Sequence, residues 1–154
     1  TLPLLAGAPA RFGARPGFRT AVTLYAVIVG LVYHFLLHAT WSPQGWSLIV
    51  NIALHYVMPI AMLIDWLVFT PRCRHRAFDA VIWLSFPVAF GVWTVFHGQI
   101  AGWYPYWFIN IDQLGWARAG LNFAGLLVAF ALAGLVFMTL DRALSPRDRR
   151  ERAA

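Results

Sequence analysis

The residues best able to move protons in this chain are its histidines, and His55 has the most informative neighbours. It lies in the run NIALHYVMPIAMLIDWLVF, residues 51–69. Asn51 precedes it by four positions and Pro59 follows it by four, so the three share one helical face. Imidazole takes a proton from a hydroxyl, or returns one to a leaving group, when it is held within hydrogen-bond reach. The Asn51 amide is expected to orient that ring or to hold a substrate carbonyl. Pro59 has no N–H, so the His55 carbonyl loses its helical partner and a local distortion is expected there. A histidine that simply packs one helix on another is the competing reading.

The remaining candidates are fewer and weaker. His34 and His38 stand at i, i+4, the spacing of a two-histidine metal face, and His97 is placed at the same end of the spans. No Asp, Glu or Cys joins them at that depth, so no metal and no cofactor is expected. Cys73 is the single cysteine; it cannot form an internal disulfide and has no ligand-spaced neighbour. Asp65 is expected to pair with Arg72 or Arg74. Arg118 and Asn122, also i, i+4, are expected to face Asp112 or the carboxylate of a ligand. The chain contains no G-x-S-x-G, P-loop or H-E-x-x-H motif. Thr20, Thr23, Thr40 and Thr94 fall near span ends rather than level with His55, so a base is visible without its nucleophile.

The elements that position these groups follow from composition. Of 154 residues, 60% are hydrophobic and 12% are charged, against about 45–50% and about 25% in an ordinary soluble domain. Mean hydropathy is +0.65. That balance excludes a soluble globular protein and a disordered one, and leaves an integral membrane protein. No charged residue occurs in residues 20–64, 80–111 or 119–140. With the breaker Trp41-Ser-Pro-Gln-Gly45 dividing the first run, these predict an all-α bundle of four spans, near 20–39, 45–69, 77–97 and 116–140. His55 then falls within about 3 Å of the middle of its span, at about 1.5 Å per residue.

The basic residues set an orientation. All 12 are Arg, against six Asp and Glu. Arg11, Arg15 and Arg19 precede the first span. Arg72, Arg74 and Arg76 separate the second from the third. Arg142, Arg147, Arg149, Arg150 and Arg152 follow the fourth. With antiparallel spans these groups share one side, expected to be cytoplasmic by the positive-inside rule. The excess of arginine therefore reads as topology, and no nucleic-acid partner is expected. The other side carries the aromatic segment 98–115, with Trp103, Tyr104, Tyr106, Trp107 and Phe108 around Pro105. It is expected to lie in the interface or fold back as a lid. Residues 1–19 read as the end of a helix whose start is missing plus a basic loop, and 141–154 as a basic tail.

Four stretches carry a family resemblance: AVTLYAVIVGLVYHFLL (21–37), NIALHYVMPIAMLIDWLVF (51–69), GWYPYWFINI (102–111) and ARAGLNFAGLLVAF (117–130). Together they resemble the bacterial Pr6Pr branch of the membrane-protein family that includes animal androgen-induced protein and the androgen-dependent regulator of tissue-factor-pathway inhibitor. The resemblance runs from about Thr20 to Leu140. It implies a six-span membrane hydrolase of fatty-acid esters with an intramembrane threonine nucleophile and a partner histidine. The family's N-x-x-x-H-x-x-x-P context matches Asn51, His55 and Pro59, so the resemblance assigns His55 the catalytic role. It places the threonine upstream of Arg11, outside this chain.

The expectation is thus a threonine–histidine lipid-ester hydrolase in a bacterial inner membrane. His55 would be the general base, with Asn51, Tyr104, Tyr106 and Asn122 in support. Its partner would be a membrane lipid or fatty-acid ester, with the oligomeric state open. The alternative is a non-enzymatic lipid- or ligand-binding regulator.

Overall fold

The charge-free runs fold as helices, the first as two, because in hydrocarbon only a helix satisfies its own backbone. The computed structural model describes residues 13, 15–73 and 75–145. Four helices are long and apolar enough to cross a membrane: α1 (Pro16–Leu37), α2 (Trp46–Phe69), α3 (Ala77–Ala101) and α4 (Ile111–Ala143). No strand occurs among the described residues. The chain is an all-α membrane protein, as its composition requires. The proposed helix end at 1–12 with Arg11, the loop residue Arg74 and the basic tail from 146 lie outside the described residues.

Large apolar side chains point outward along every helix. Phe35, Trp46, Ile100 and Leu121 are each more than 70% exposed. In water such a surface drives aggregation; in a bilayer it is the solvent-facing side. The chain divides into two compact units, Thr1–His75 with Phe137–Ala154, and Arg76–Val136.

The first unit contains α1, α2 and the end of α4. Pro16 opens α1 at a position where its missing N–H costs nothing. One face of α1 buries Thr20, Ala21, Leu24 and Ile28 at helical spacing, and α1 packs on α2. Both helices contain a π-helical turn, Tyr33–Leu37 in α1 and Ala53–Val57 in α2. In the second, the Met58 N–H bonds the Ala53 carbonyl. That register shift is how the helix absorbs Pro59, which has no N–H to offer the His55 carbonyl. Asp65 pairs with Arg19 of α1 rather than with Arg72.

The second unit contains α3, the aromatic segment and most of α4. Leu84 interrupts the hydrogen-bonding pattern of α3, with Pro87 one turn later. Helical structure extends further than the charge-free pattern suggested, to Ala101 and again from Ile111. The connection narrows to nine residues, with a 3-10 turn at Trp107–Ile109. Gly115, with φ 74° and ψ 162°, is non-helical and breaks α4 after the short turn 111–114, so the long part of the helix runs from 116.

Close approach of α1 to α2 depends on Gly30. A Cβ there would meet the His55 carbonyl oxygen at 2.9 Å and the Pro59 ring at 3.1 Å. Both obstacles are rigid, so Gly30→Ala is expected to cost about 1–3 kcal/mol as overpacking. It should lower the unfolding midpoint in detergent. Gly120→Ala, where a Cβ meets nothing within 4 Å, should leave the midpoint unchanged or slightly raised.

Candidate functional site

His55 projects from the π turn of α2 and is half-buried. Its Nδ1 lies 3.0 Å from the Asn51 carbonyl oxygen. A carbonyl only accepts, so Nδ1 is the donor, and in the neutral ring Nε2 then carries the lone pair. The ring stacks on Tyr33 with centroids 4.1 Å apart and planes at 26°. Two contacts therefore fix the imidazole: a hydrogen bond along its own helix and a ring face from α1. No described Ser or Thr hydroxyl lies within hydrogen-bond reach of it.

Asn51 supports this arrangement differently from expectation. Its backbone, not its amide, holds His55. The amide Nδ2 donates to the Tyr33 hydroxyl instead, and Oδ1 is buried with no hydrogen-bond partner among the described residues. Tyr33 is thus the residue sequence reasoning missed: it touches both His55 and Asn51, and its contact partners lie on another helix. His34 joins the margin of the cluster, with Nδ1 3.3 Å from the Tyr56 hydroxyl. His97 belongs to the second unit, where its ring packs beside Trp93 and Trp103.

Tyr104, Tyr106 and Asn122 also belong to the second unit, and there they hold the aromatic segment in place. Gln99 Nε2 donates to the Tyr104 hydroxyl at 2.7 Å and to Asp112 at 3.2 Å. Asn122 Nδ2 donates to the Phe108 carbonyl at 2.8 Å, rather than facing Asp112. Tyr106 stacks on Phe108, and burial pushes its phenol above the usual value, so it remains a donor at neutral pH. The segment folds back on its own unit. Beside it lies an apolar groove of about 580 Å³, lined by Gly91, Val95, Phe96, Ala119 and Phe123 with Gln99 as a polar group. That volume is in the range of small-molecule sites.

A second polar cluster lies in the first unit, at the ends of α1, α2 and α4. His75 and Asp141 are buried, Cys73 is half-buried, and their ligand atoms all lie within 4.8 Å of one another. Cys73 does therefore have ligand neighbours, contrary to the expectation from spacing. One is two residues away and the other is on α4, which no local pattern reveals. Thr20 touches the same group, with Oγ1 3.3 Å from His75 Nε2. This Thr–His contact is not a poised nucleophile: Thr20 is 0% exposed, donates to the Pro16 carbonyl and accepts from Trp66 Nε1.

The Asn51–Tyr33 bond yields a clear expectation. Tyr33→Phe strands a buried amide and should cost about 1–3 kcal/mol. Adding Asn51→Leu removes the stranded group, so the double variant should recover much of that loss in a denaturant titration. A double variant less stable than Tyr33→Phe would contradict the pairing. No protein-family model, curated protein or solved structure matches the chain.

Proposed function

We propose that this chain is the histidine-bearing part of an integral membrane hydrolase of lipid esters. The observation that supports it most is the His55 ring, pinned through Nδ1 to a backbone carbonyl and leaving Nε2 as an acceptor near the middle of a span. In this reading Nε2 takes the proton from a threonine hydroxyl as its oxygen attacks the ester carbonyl. The same nitrogen returns the proton to the departing alkoxide, and water then releases the acyl group by the reverse relay. The family resemblance supplies the threonine from upstream sequence. The substrate reaches the site sideways from the bilayer, which suits a chain whose outer surface is apolar.

The arginine distribution supports placing the Arg15–Arg19, Arg72–Arg76 and Arg142 ends on the cytoplasmic side of a bacterial inner membrane. A second reading, a non-enzymatic lipid-binding protein, draws on the apolar groove of the second unit and its single polar side chain, Gln99.

The two readings separate in one experiment. The gene expressed from its start codon, wild type and His55→Ala, is assayed on fatty-acid ester substrates and for binding of a fluorescent fatty-acyl probe. The hydrolase reading predicts a loss of turnover of about 10²-fold or more with His55→Ala. Equal turnover in both proteins overturns it. Probe binding without turnover in either protein favours the binding protein.

A further inference from the structure

We propose that Cys73, His75 and Asp141 form a binding site for a divalent transition-metal ion of the zinc type, distinct from the His55 cluster. The three residues offer a sulfur, a nitrogen and an oxygen, the donor set zinc takes in protein sites. Cys73 Sγ is 3.5 Å from His75 Nε2, and His75 Nε2 is 3.8 Å from Asp141 Oδ2. Tetrahedral bonds of about 2.0–2.3 Å place neighbouring ligand atoms about 3.3–3.6 Å apart. The two distances to His75 are thus within a few tenths of an ångström of that geometry, and all three ligand atoms lie within 4.8 Å of one another, so an ion closes the cluster by drawing Cys73 and Asp141 together. Three protein ligands leave one position open, as in zinc sites that bind water or a substrate group.

An unmet hydrogen-bond demand points the same way. Asp141 is 1% exposed. Its Oδ2 accepts the Cys73 backbone N–H at 3.2 Å, but Oδ1 has no hydrogen-bond partner among the described residues. Arg72 Nη1 stands 3.7 Å from Oδ1, and it too is buried without a hydrogen bond. A closed arginine–carboxylate pair sits at about 2.7–2.9 Å. A buried carboxylate held this loosely is costly in a low-dielectric interior; an ion on Oδ2, the oxygen that faces His75, takes up its charge while Oδ1 stays toward Arg72.

Charge and support are also suitable. A thiolate and a carboxylate together neutralise a divalent ion, so the loaded site itself carries no net charge. Binding releases the thiol proton and requires the imidazole proton on Nδ1, so Nε2 exchanges its contact with Thr20 Oγ1 for the ion. The frame is held from several directions. Arg142 Nη2 donates to the His75 carbonyl at 3.2 Å. Arg72 packs over the Trp66 ring, 4.6 Å from its centroid. Trp66 in turn is fully buried against Phe137. The ion would therefore tie the end of α4 to the segment after α2.

The test is metal analysis of the purified full-length protein in detergent, dialysed against Zn²⁺ and, separately, loaded with Co²⁺. The proposal predicts about one ion per chain, with the thiolate-to-cobalt charge-transfer absorption of a Co–S bond. Cys73→Ser keeps the backbone N–H that bonds Asp141, so the fold should survive. It should abolish the absorption and lower metal affinity at least about tenfold. Asp141→Asn should lower affinity while retaining the cobalt–sulfur band in what remains bound. No stoichiometric metal in the wild type, or a cobalt spectrum unchanged by Cys73→Ser, overturns the proposal.

Discussion

A polar atom inside a bilayer has no water to turn to, and the cost of leaving it unpaired governs how both units are built. In the first unit Thr20 answers this demand with three contacts: the Pro16 carbonyl, Trp66 Nε1 and His75 Nε2. The Asn51 amide nitrogen meets it through Tyr33. In the second unit, Gln99 serves Tyr104 and Asp112, and Asn122 serves the Phe108 carbonyl. These bonds cross between helices or return a loop to its helix. They fix the fold where apolar packing alone, against lipid tails of similar polarity, has little to drive it.

The same constraint explains why His55 is held as it is. Pro59 removes one backbone donor, and the chain responds with a π turn over Ala53–Val57 instead of an open kink. The π turn of α1 lies alongside and presents Tyr33. Gly30 lets the two helices come close enough for the Tyr33 and His55 rings to stack. One proline, one glycine and one tyrosine thus hold the ring whose Nδ1 bonds the Asn51 carbonyl.

Much of this architecture was legible in the chain itself. Spans follow from where charge is absent, because an ionised side chain within hydrocarbon is expensive. His55 and Pro59 stood out because both are rare in the middle of an apolar run. What sequence did not disclose was the choice of partner. Asp65 pairs with Arg19 although Arg72 is nearer along the chain, since α1 passes beside it. Asn51 turned its amide to Tyr33 while its carbonyl took the histidine. Cys73 and His75 acquired Asp141 only through helix packing. The end of α3 moved because apolar residues near an interface continue a helix until a residue such as Gly102, at positive φ, turns the chain. Periodicity reports which face is apolar; it carries no record of which helix arrives next to it.

The account of His55 as a base rests on where its ring proton sits. Nitrogen NMR of the protein labelled at histidine, in bicelles near neutral pH and assigned with His55→Gln, observes that directly. The hydrogen bond to the Asn51 carbonyl predicts a proton on Nδ1 and none on Nε2. A proton found on Nε2 of His55 would remove the acceptor and contradict the proposed role.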